Sequence, residues 1–341
     1  MKLKNVAVLL WLMGAGLFSG CGYVGMLTTS VVDDDNTIVY VYTGQSYPDF
    51  LDSLGQTGII NPYSYFRSAA TSFKYEQSFK PGRYHLKRGM TAVDVVKFLR
   101  SGTREPVKFS FHYLRTPDDL AGKVAAKLEA DSTQLVNLLS DREFTAKKFG
   151  LTPEEAPVIF IPNTYEIHWN TSAEQFCTRM KKEYDAFWRA DRKAKAEAIG
   201  LTPVEVSILA SLVQAEQSRI KEEWPIIAGL YLNRLRKGMM LQSDPTVVFA
   251  NGDFSIKRVL DRHTAIDSPY NTYKNVGLPP GPINMPEPGV IDAVLDADQN
   301  SYLYMCAKDD LSGRHSFAET LAEHNRNAAA FHAALNRAGI R

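Results

Sequence analysis

Within "SILASLVQAEQSRI" (Ser207–Ile220), Glu216 is the single acid in a run of small and branched apolar residues. At helical spacing, Leu209, Leu212, Val213, Glu216 and Ile220 share one face. A carboxyl set along an apolar stripe inside a cleft is desolvated. Its pKa rises, and it can hold a proton near neutrality for general acid work. An acid at a frayed helix end, bathed in water, does none of this, and spacing alone leaves both readings open. Downstream, "LQSDPTVVFA" places Gln242 and Asp244 just before Pro245. "SPYNTYKNVGLPPGPI" places Tyr270, Asn271, Thr272 and Tyr273 beside a loop stiffened by Pro279, Pro280 and Pro282. Amides, hydroxyls and aromatic rings on stiff backbone suit a sugar polymer, whose rings stack and whose hydroxyls take fixed hydrogen bonds. The alternative is that the loops only cap the fold and that Asp244 caps a turn.

Other chemistries find less support. The 7 histidines form no HExxH or comparable ligand pair, so no metal and no cofactor is expected. "SRIK" (Ser218–Lys221) matches SxxK but lacks the KTG and SDN partners of penicillin-recognising enzymes. The 3 cysteines, Cys21, Cys177 and Cys306, show no CxxC, and the latter two read as buried thiols. A net charge of +1 gives no bulk electrostatic reason to bind nucleic acid.

These residues need elements to hold them. Thr202 suits an N-cap, Pro203 a first helical position and Glu205 the return bond of a capping box, so a helix carrying Glu216 starts there. The same signature predicts helix starts at the other "GLTP" (Gly150–Pro153) and at Ser316 to Glu319. A second helix is expected to end near Gly238, and "SYLYMCA" reads as a strand. Upstream, "TIVYVY" alternates like a strand, "YPDFLDSLGQTGII" has helical spacing, and a helix opens at Thr91 and closes at Gly102. At the N-terminus, residues 5–32 carry no charge, with Lys2 and Lys4 before them and Asp33–Asp35 after. That predicts a single-pass membrane anchor with the rest of the chain outside the cytoplasm. The rival is a cleaved signal ending in "LFSGC", with Cys21 lipidated. The expected fold is α+β: a membrane helix over 1–32, a small α+β module over 37–107, and a mixed α/β region over 108–341 with Glu216 on a helix.

Several long stretches together resemble the YceG-like family of endolytic murein transglycosylases. They are "LASLVQAEQ", "IIAGLYLNRLRKGMMLQSDPTVVFA", "YNTY" with "GLPPGPI", "HSFAETLAEHN" and "IFIPNTYEIHWNTS". The resemblance implies that Glu216 is the catalytic acid, with Gln214 where the family has another acid. It implies a LysM-like module over 37–107 and an anchor in the bacterial cytoplasmic membrane. The matching motifs imply substrate-binding or supporting roles for Glu223, Asn233, Gln242, Asp244, Thr246, Tyr270, Asn271, Thr272, Tyr273, His315, His324 and Tyr165. The implied substrate is the peptidoglycan glycan strand, cut internally at the MurNAc–GlcNAc bond with formation of 1,6-anhydro ends. Wall-synthesis enzymes such as penicillin-binding proteins are the implied partners. The readings from other classes are a non-catalytic peptidoglycan-binding scaffold and a hydrolytic muramidase.

Overall fold

The computed structural model describes residues 23–339. Most of the expected anchor, and Cys21, therefore lie outside the described residues. Among the described residues no single helix is long and apolar enough to cross a membrane.

The described residues divide into two units: residues 23–109 with 127–130 and 166–171, and residues 110–126, 131–165 and 172–339. In the first, β1 (Ile38–Val41) pairs antiparallel with β2 (Gly82–His85), from Ile38 opposite His85 to Val41 opposite Gly82. Between them run α1 (Tyr47–Thr57) and α2 (Tyr63–Ser72), and α3 (Ala92–Ser101) follows. The Thr91–Asp94 capping box opens α3 and Gly102, in the left-handed region, closes it, as the sequence predicts. Val39, Val41, Phe50, Phe66, Tyr84, Val96 and Leu99 form the core. Met26, Val31 and Val32 belong to it too, so the end of the charge-free span, expected to lie in the membrane, packs within this unit. Ser30 bridges to Thr91, and the Val31 amide donates to the Met90 carbonyl (2.9 Å), fixing that segment.

A second two-stranded sheet pairs β3 (Val107–Ser110) with β4 (Thr164–Ile167), and the division between the units falls within both strands. The second unit is mostly helical, where a mixed α/β region was expected. It holds α4 (Pro117–Ala125), α5 (Ser132–Ser140), α6 (Arg142–Phe149), α7 (Ala173–Phe187), α8 (Ala190–Ala198), α9 (Pro203–Glu216), α10 (Trp224–Arg236), α11 (Asp244–Asn251), α12 (Asp261–Thr264), α13 (Pro288–Leu295) and α14 (Leu321–Arg337). Its own sheet is the antiparallel hairpin of β5 (Tyr304–Ala307) and β6 (His315–Ala318), covered by α14.

Two capping signals mislead. After Gly150 the box forms, with Glu155 bonded to Thr152 in both directions, but only a 3₁₀ turn follows at Ala156–Ile159. Ser316 lies in β6, and Thr320 is the N-cap of α14, accepting from the Glu323 amide. Hairpin pairing overrides the local preference there.

Helix α9 is the centre of this unit. Every residue from Val206 to Gln214 is buried, so the helix is enclosed on all sides and is not an amphipathic helix with one apolar stripe. It packs against α10, α11 and α13. Truncating Leu209 or Leu212, both 0% exposed, to alanine would cost about 2–5 kcal/mol. That packing makes α9 a rigid mount for its last residue.

Candidate active site

That last residue is Glu216. The helix opens as predicted, with Thr202 accepting from the Glu205 amide and Glu205 bonding back. It stops because Gln217 turns to extended backbone (φ −133°, ψ 92°). The Gln217 side chain then organises the turn. Its Oε1 accepts from the amides of Arg219 (3.2 Å) and Ile220 (3.1 Å), and its Nε2 donates to Glu223 Oε2 (3.0 Å) and the Gly313 carbonyl (2.9 Å). Trp224 Nε1 donates to the Gln217 carbonyl at 2.6 Å. Ile220 is therefore off the helix, and the face it was expected to share with Glu216 ends at Val213. On the far side, Gln214 Oε1 accepts from the Glu287 amide (2.8 Å), and Ser211 ties α9 to the Pro-rich loop through Ile283 (3.0 Å) and Asn284 (2.6 Å).

Glu216 opens into a cavity of about 320 Å³ lined by Tyr231 and Arg234 of α10, Gln242, Asp244, Tyr273, the strand residues Met305, Cys306 and Ala307, and His315. Tyr231 Oη (3.4 Å) and Ser243 Oγ (3.3 Å) both donate to Glu216 Oε2, and among the described residues Oε1 has no donor. Burial drives the Glu216 pKa upward and outweighs the imidazole of His315, which lowers it; the Asp244 carboxylate raises it further. The negative end of the α9 dipole acts in the same direction as burial. The residue keeps part of its surface open, and that surface faces the cavity. This is a carboxyl whose burial disfavours its charged form and which is reachable by a ligand.

The wall opposite is held by a second acid with a different task. Glu223 is buried; Oε1 accepts from the His315 amide (3.0 Å), and Oε2 bonds His315 Nδ1 (2.8 Å). Burial pushes the Glu223 pKa up, but these bonds and that from Gln217 together hold it below the usual carboxylate range. An ionised Glu223 requires Nδ1 to carry the proton, which fixes the tautomer and ring of His315 at the cavity edge. Arg234 forms the floor: Nε donates to the Leu303 carbonyl (2.6 Å), and Nη1 to the carbonyls of Met240 and Leu241 (3.0 Å each) and to Gln242 Oε1 (3.2 Å). Burial lowers its pKa. Gln242 has φ +51°, an unusual conformation for a non-glycine residue, and its amide donates to the Thr272 carbonyl (3.1 Å).

Of the residues expected to bind substrate, Gln242, Asp244, Tyr273 and His315 line this cavity. Asp244, expected to support Glu216, brings a second carboxylate into the same space. Its Oδ1 accepts from Tyr273 Oη at 2.6 Å, and burial followed by this bond raises the Tyr273 pKa.

Asn271, Thr272 and Thr246 are buried and occupied. Asn271 Nδ2 donates to the carbonyls of Thr264 (2.9 Å) and Ile266 (2.8 Å), and its Oδ1 accepts from the Tyr273 amide (3.0 Å). Thr272 Oγ1 accepts from the Ser243 amide (3.0 Å) and is hydrogen-bonded to Thr246 Oγ1 (2.8 Å). They shape the loops and have no capacity left for a sugar.

Tyr270 packs its ring on Phe249 (4.8 Å), and burial pushes its pKa up to about 12. Tyr165 is a core residue, with Oη donating to the Ile161 carbonyl. His324 stacks on Tyr304 (5.5 Å), whose other neighbour is Arg234. Asn233 faces away, donating to the carbonyls of Asn300 (2.8 Å) and Tyr302 (3.2 Å) beside a separate cavity of about 730 Å³. Sequence reasoning missed Tyr231, Ser243 and Arg234. Their signal was weak: Tyr231 and Arg234 lie three apart on one helix, and Ser243 immediately precedes Asp244. Cys306, expected buried, is half-exposed at the cavity wall. Among the described residues no cluster of His, Cys, Asp or Glu could hold a metal ion.

The described fold has known relatives. The profile of the YceG-like family matches residues 39–330. A Bacillus subtilis protein named endolytic murein transglycosylase is 31% identical, over 89% of this chain and 88% of its own. Two Streptococcus pneumoniae proteins of the same name are 29% identical over 94% of this chain, which spans 63% of their length. The 2.6 Å crystal structure of a YceG-like protein from Listeria monocytogenes superposes with a TM-score of 0.57 at 28% identity, covering 86% of this chain and 98% of that one. By the profile match, and by motifs that put Glu216 and the cavity-lining loops within the matched span, the chain belongs to the YceG-like family.

Proposed function

We propose that this protein is an endolytic lytic transglycosylase that cleaves the MurNAc–GlcNAc bond inside peptidoglycan glycan strands, with Glu216 as the catalytic acid and base. The observation that carries the reading is a carboxyl with a raised pKa at the end of a buried helix, open to a cavity large enough for a sugar ring. Protonated Glu216 gives its proton to the glycosidic oxygen as the bond from muramic acid C1 to that oxygen breaks. The resulting carboxylate takes the proton of the C6 hydroxyl, whose oxygen closes on C1 of the same residue. The proton is returned and no water is consumed, so one titrating group serves both steps. Tyr231 and Ser243 hold Oε2 in place, leaving Oε1 for the transfers. The 2-acetamido group of the sugar is placed to assist at C1. Gln242 and the Glu223-bound His315 are the groups with which the cavity holds the sugar.

One observation favours a second reading. Asp244 shares the cavity, and a pair of carboxylates is what a hydrolytic muramidase uses. Asp244→Asn separates the two. Release of 1,6-anhydro ends within a few-fold of wild type supports the single-acid route. Reducing ends from the wild type, lost in Asp244→Asn, would transfer the assignment to hydrolysis.

The same proposal covers the setting. The first unit acts as the LysM-like module; the exposed Tyr40 and Tyr42, with Trp169 against them at 4.7 and 5.2 Å, offer rings for sugar stacking. The charge-free N-terminal residues tether the protein to the cytoplasmic membrane with both units outside, beside wall-synthesis enzymes whose growing strands it terminates. Lipid on Cys21 in an intact-mass and palmitate-labelling experiment would replace the single-pass anchor with a lipoprotein.

A further inference from the structure

Beside the catalytic cavity lies a smaller one, about 170 Å³, lined among others by Tyr113, Arg115, Ala215, Pro245, Phe249 and Phe254. Ala215 and Pro245 are the chain neighbours of Glu216 and Asp244. Adjacent Cα atoms are ~3.8 Å apart, so the two cavities border adjacent residues at both places. The second cavity is therefore a neighbour of the first at two places in the chain.

Its distinctive group is Arg115. The guanidinium lies between two rings, 4.6 Å from the Phe254 centroid and 5.5 Å from that of Tyr113. Both rings are partly exposed, at 37% and 38%. Among the described residues the guanidinium has no ion pair and no hydrogen-bond acceptor. The neighbouring acid, Asp119, is taken by the backbone amides of Arg115 (3.1 Å) and Thr116 (3.0 Å). Contrast Arg192, whose fork is closed on Asp292 at 2.7 and 3.1 Å. A guanidinium seated over two rings, with no acceptor of its own, keeps its N–H groups available to a carboxylate.

We infer that this cavity is a subsite for a carboxylate carried on the 3-O-lactyl substituent of a muramic acid, read by Arg115 between Tyr113 and Phe254. The inference rests on the peptidoglycan reading above and adds a feature of the substrate to it. Two sources share the chemistry: the stem peptide, and the free lactyl acid of a strand whose stems have been removed.

Binding to soluble strands is measured in the full chain carrying Glu216→Gln, so that strands stay intact, with and without Arg115→Gln. Three preparations are used: stem-bearing, amidase-stripped, and strands whose carboxylates are all converted to amides. Arg115→Gln weakens binding about tenfold or more on carboxylate-bearing strands and leaves the amidated strands unchanged. The preparation that shows the loss identifies the source. An equal loss on amidated strands, or none on any, overturns the subsite. Phe254→Leu removes one face of the clamp and no charge. It should give the same pattern at smaller size, and it carries the test if Arg115→Gln fails to fold. Anhydro ends from the unsubstituted protein are scored separately. Their absence would defeat the catalytic reading while the binding pattern still decides the subsite.

Discussion

Two groups of polar residues lie next to each other around α11 and differ in what they are bonded to. Asn271, Thr272 and Thr246 are fully buried, and each spends its hydrogen-bonding capacity on backbone or on one another. Gln242, Asp244 and Glu216 face a cavity and keep an oxygen or an amide in reserve. Residue type does not distinguish the groups, since amides, hydroxyls and acids are what a sugar site and a loop clamp both require. Saturation does. A buried amide with all its bonds made gains nothing from a ligand, whereas a partly satisfied one at a cavity wall gains on binding.

The contrast is sharpest at Glu216. Glu216→Gln keeps the size of the group and its bonds from Tyr231 and Ser243 but cannot transfer a proton. Release of anhydro ends should fall by at least the ~10²–10⁴-fold of general acid–base catalysis. Near-wild-type turnover would move the acid to Asp244 or Glu223.

The next largest effect on rate is expected from Glu223→Gln, which has one oxygen to replace two that grip the backbone and ring of His315. A His315 no longer held in position should cost about tenfold in turnover, short of the ~10² that a full ångström of misplacement causes. An unchanged rate would make the Glu223–His315 pair purely structural.

Asn271→Ala tests the saturated side. It strands two backbone carbonyls and one amide in the interior. Stability should fall by about 1–3 kcal/mol, read as a loss of ~2–4 °C in Tm for each kcal/mol, while turnover per folded molecule stays within about twofold. A stable variant with lost turnover would return Asn271 to the substrate-binding group.

How far all this could be read beforehand follows the same division. The start of α9 was legible because Thr202, Pro203 and Glu205 act locally. So were β1, α3 and the end of α10 near Gly238. Glu216 was found because one acid among apolar residues is a local anomaly. Its surroundings were not legible. Gln217, which ends the helix, looks in sequence like any polar residue, and its bonds run to Glu223 and Gly313, 6 and 96 residues away. Ser316 forms a capping signature with Glu319 but is captured by the β5–β6 hairpin, a tertiary effect. Whether Asn271 or Gln242 has a hydrogen bond to spare is decided by neighbours distant in the chain.

The smallest expected effect is on stability against pH. The folded pKa of Glu216 is raised above its unfolded value, so the wild type loses stability as pH climbs from the unfolded carboxylate value of ~4.3 towards the raised folded one. Glu216→Gln lacks that loss. It should melt slightly above wild type at neutral pH, with the gap closing below about pH 4. A gap independent of pH would mean that the carboxyl is not desolvated in the folded state.

The central claim is that one carboxyl moves a proton out and back while no water enters the product. The direct measurement is mass spectrometry of fragments released from uncrosslinked glycan strands in water enriched in heavy oxygen. The account predicts 1,6-anhydro ends on every new muramic acid terminus, with no heavy oxygen incorporated, and no such ends from Glu216→Gln. Reducing ends carrying the label would contradict it and make Glu216 and Asp244 the acid and base of a hydrolase.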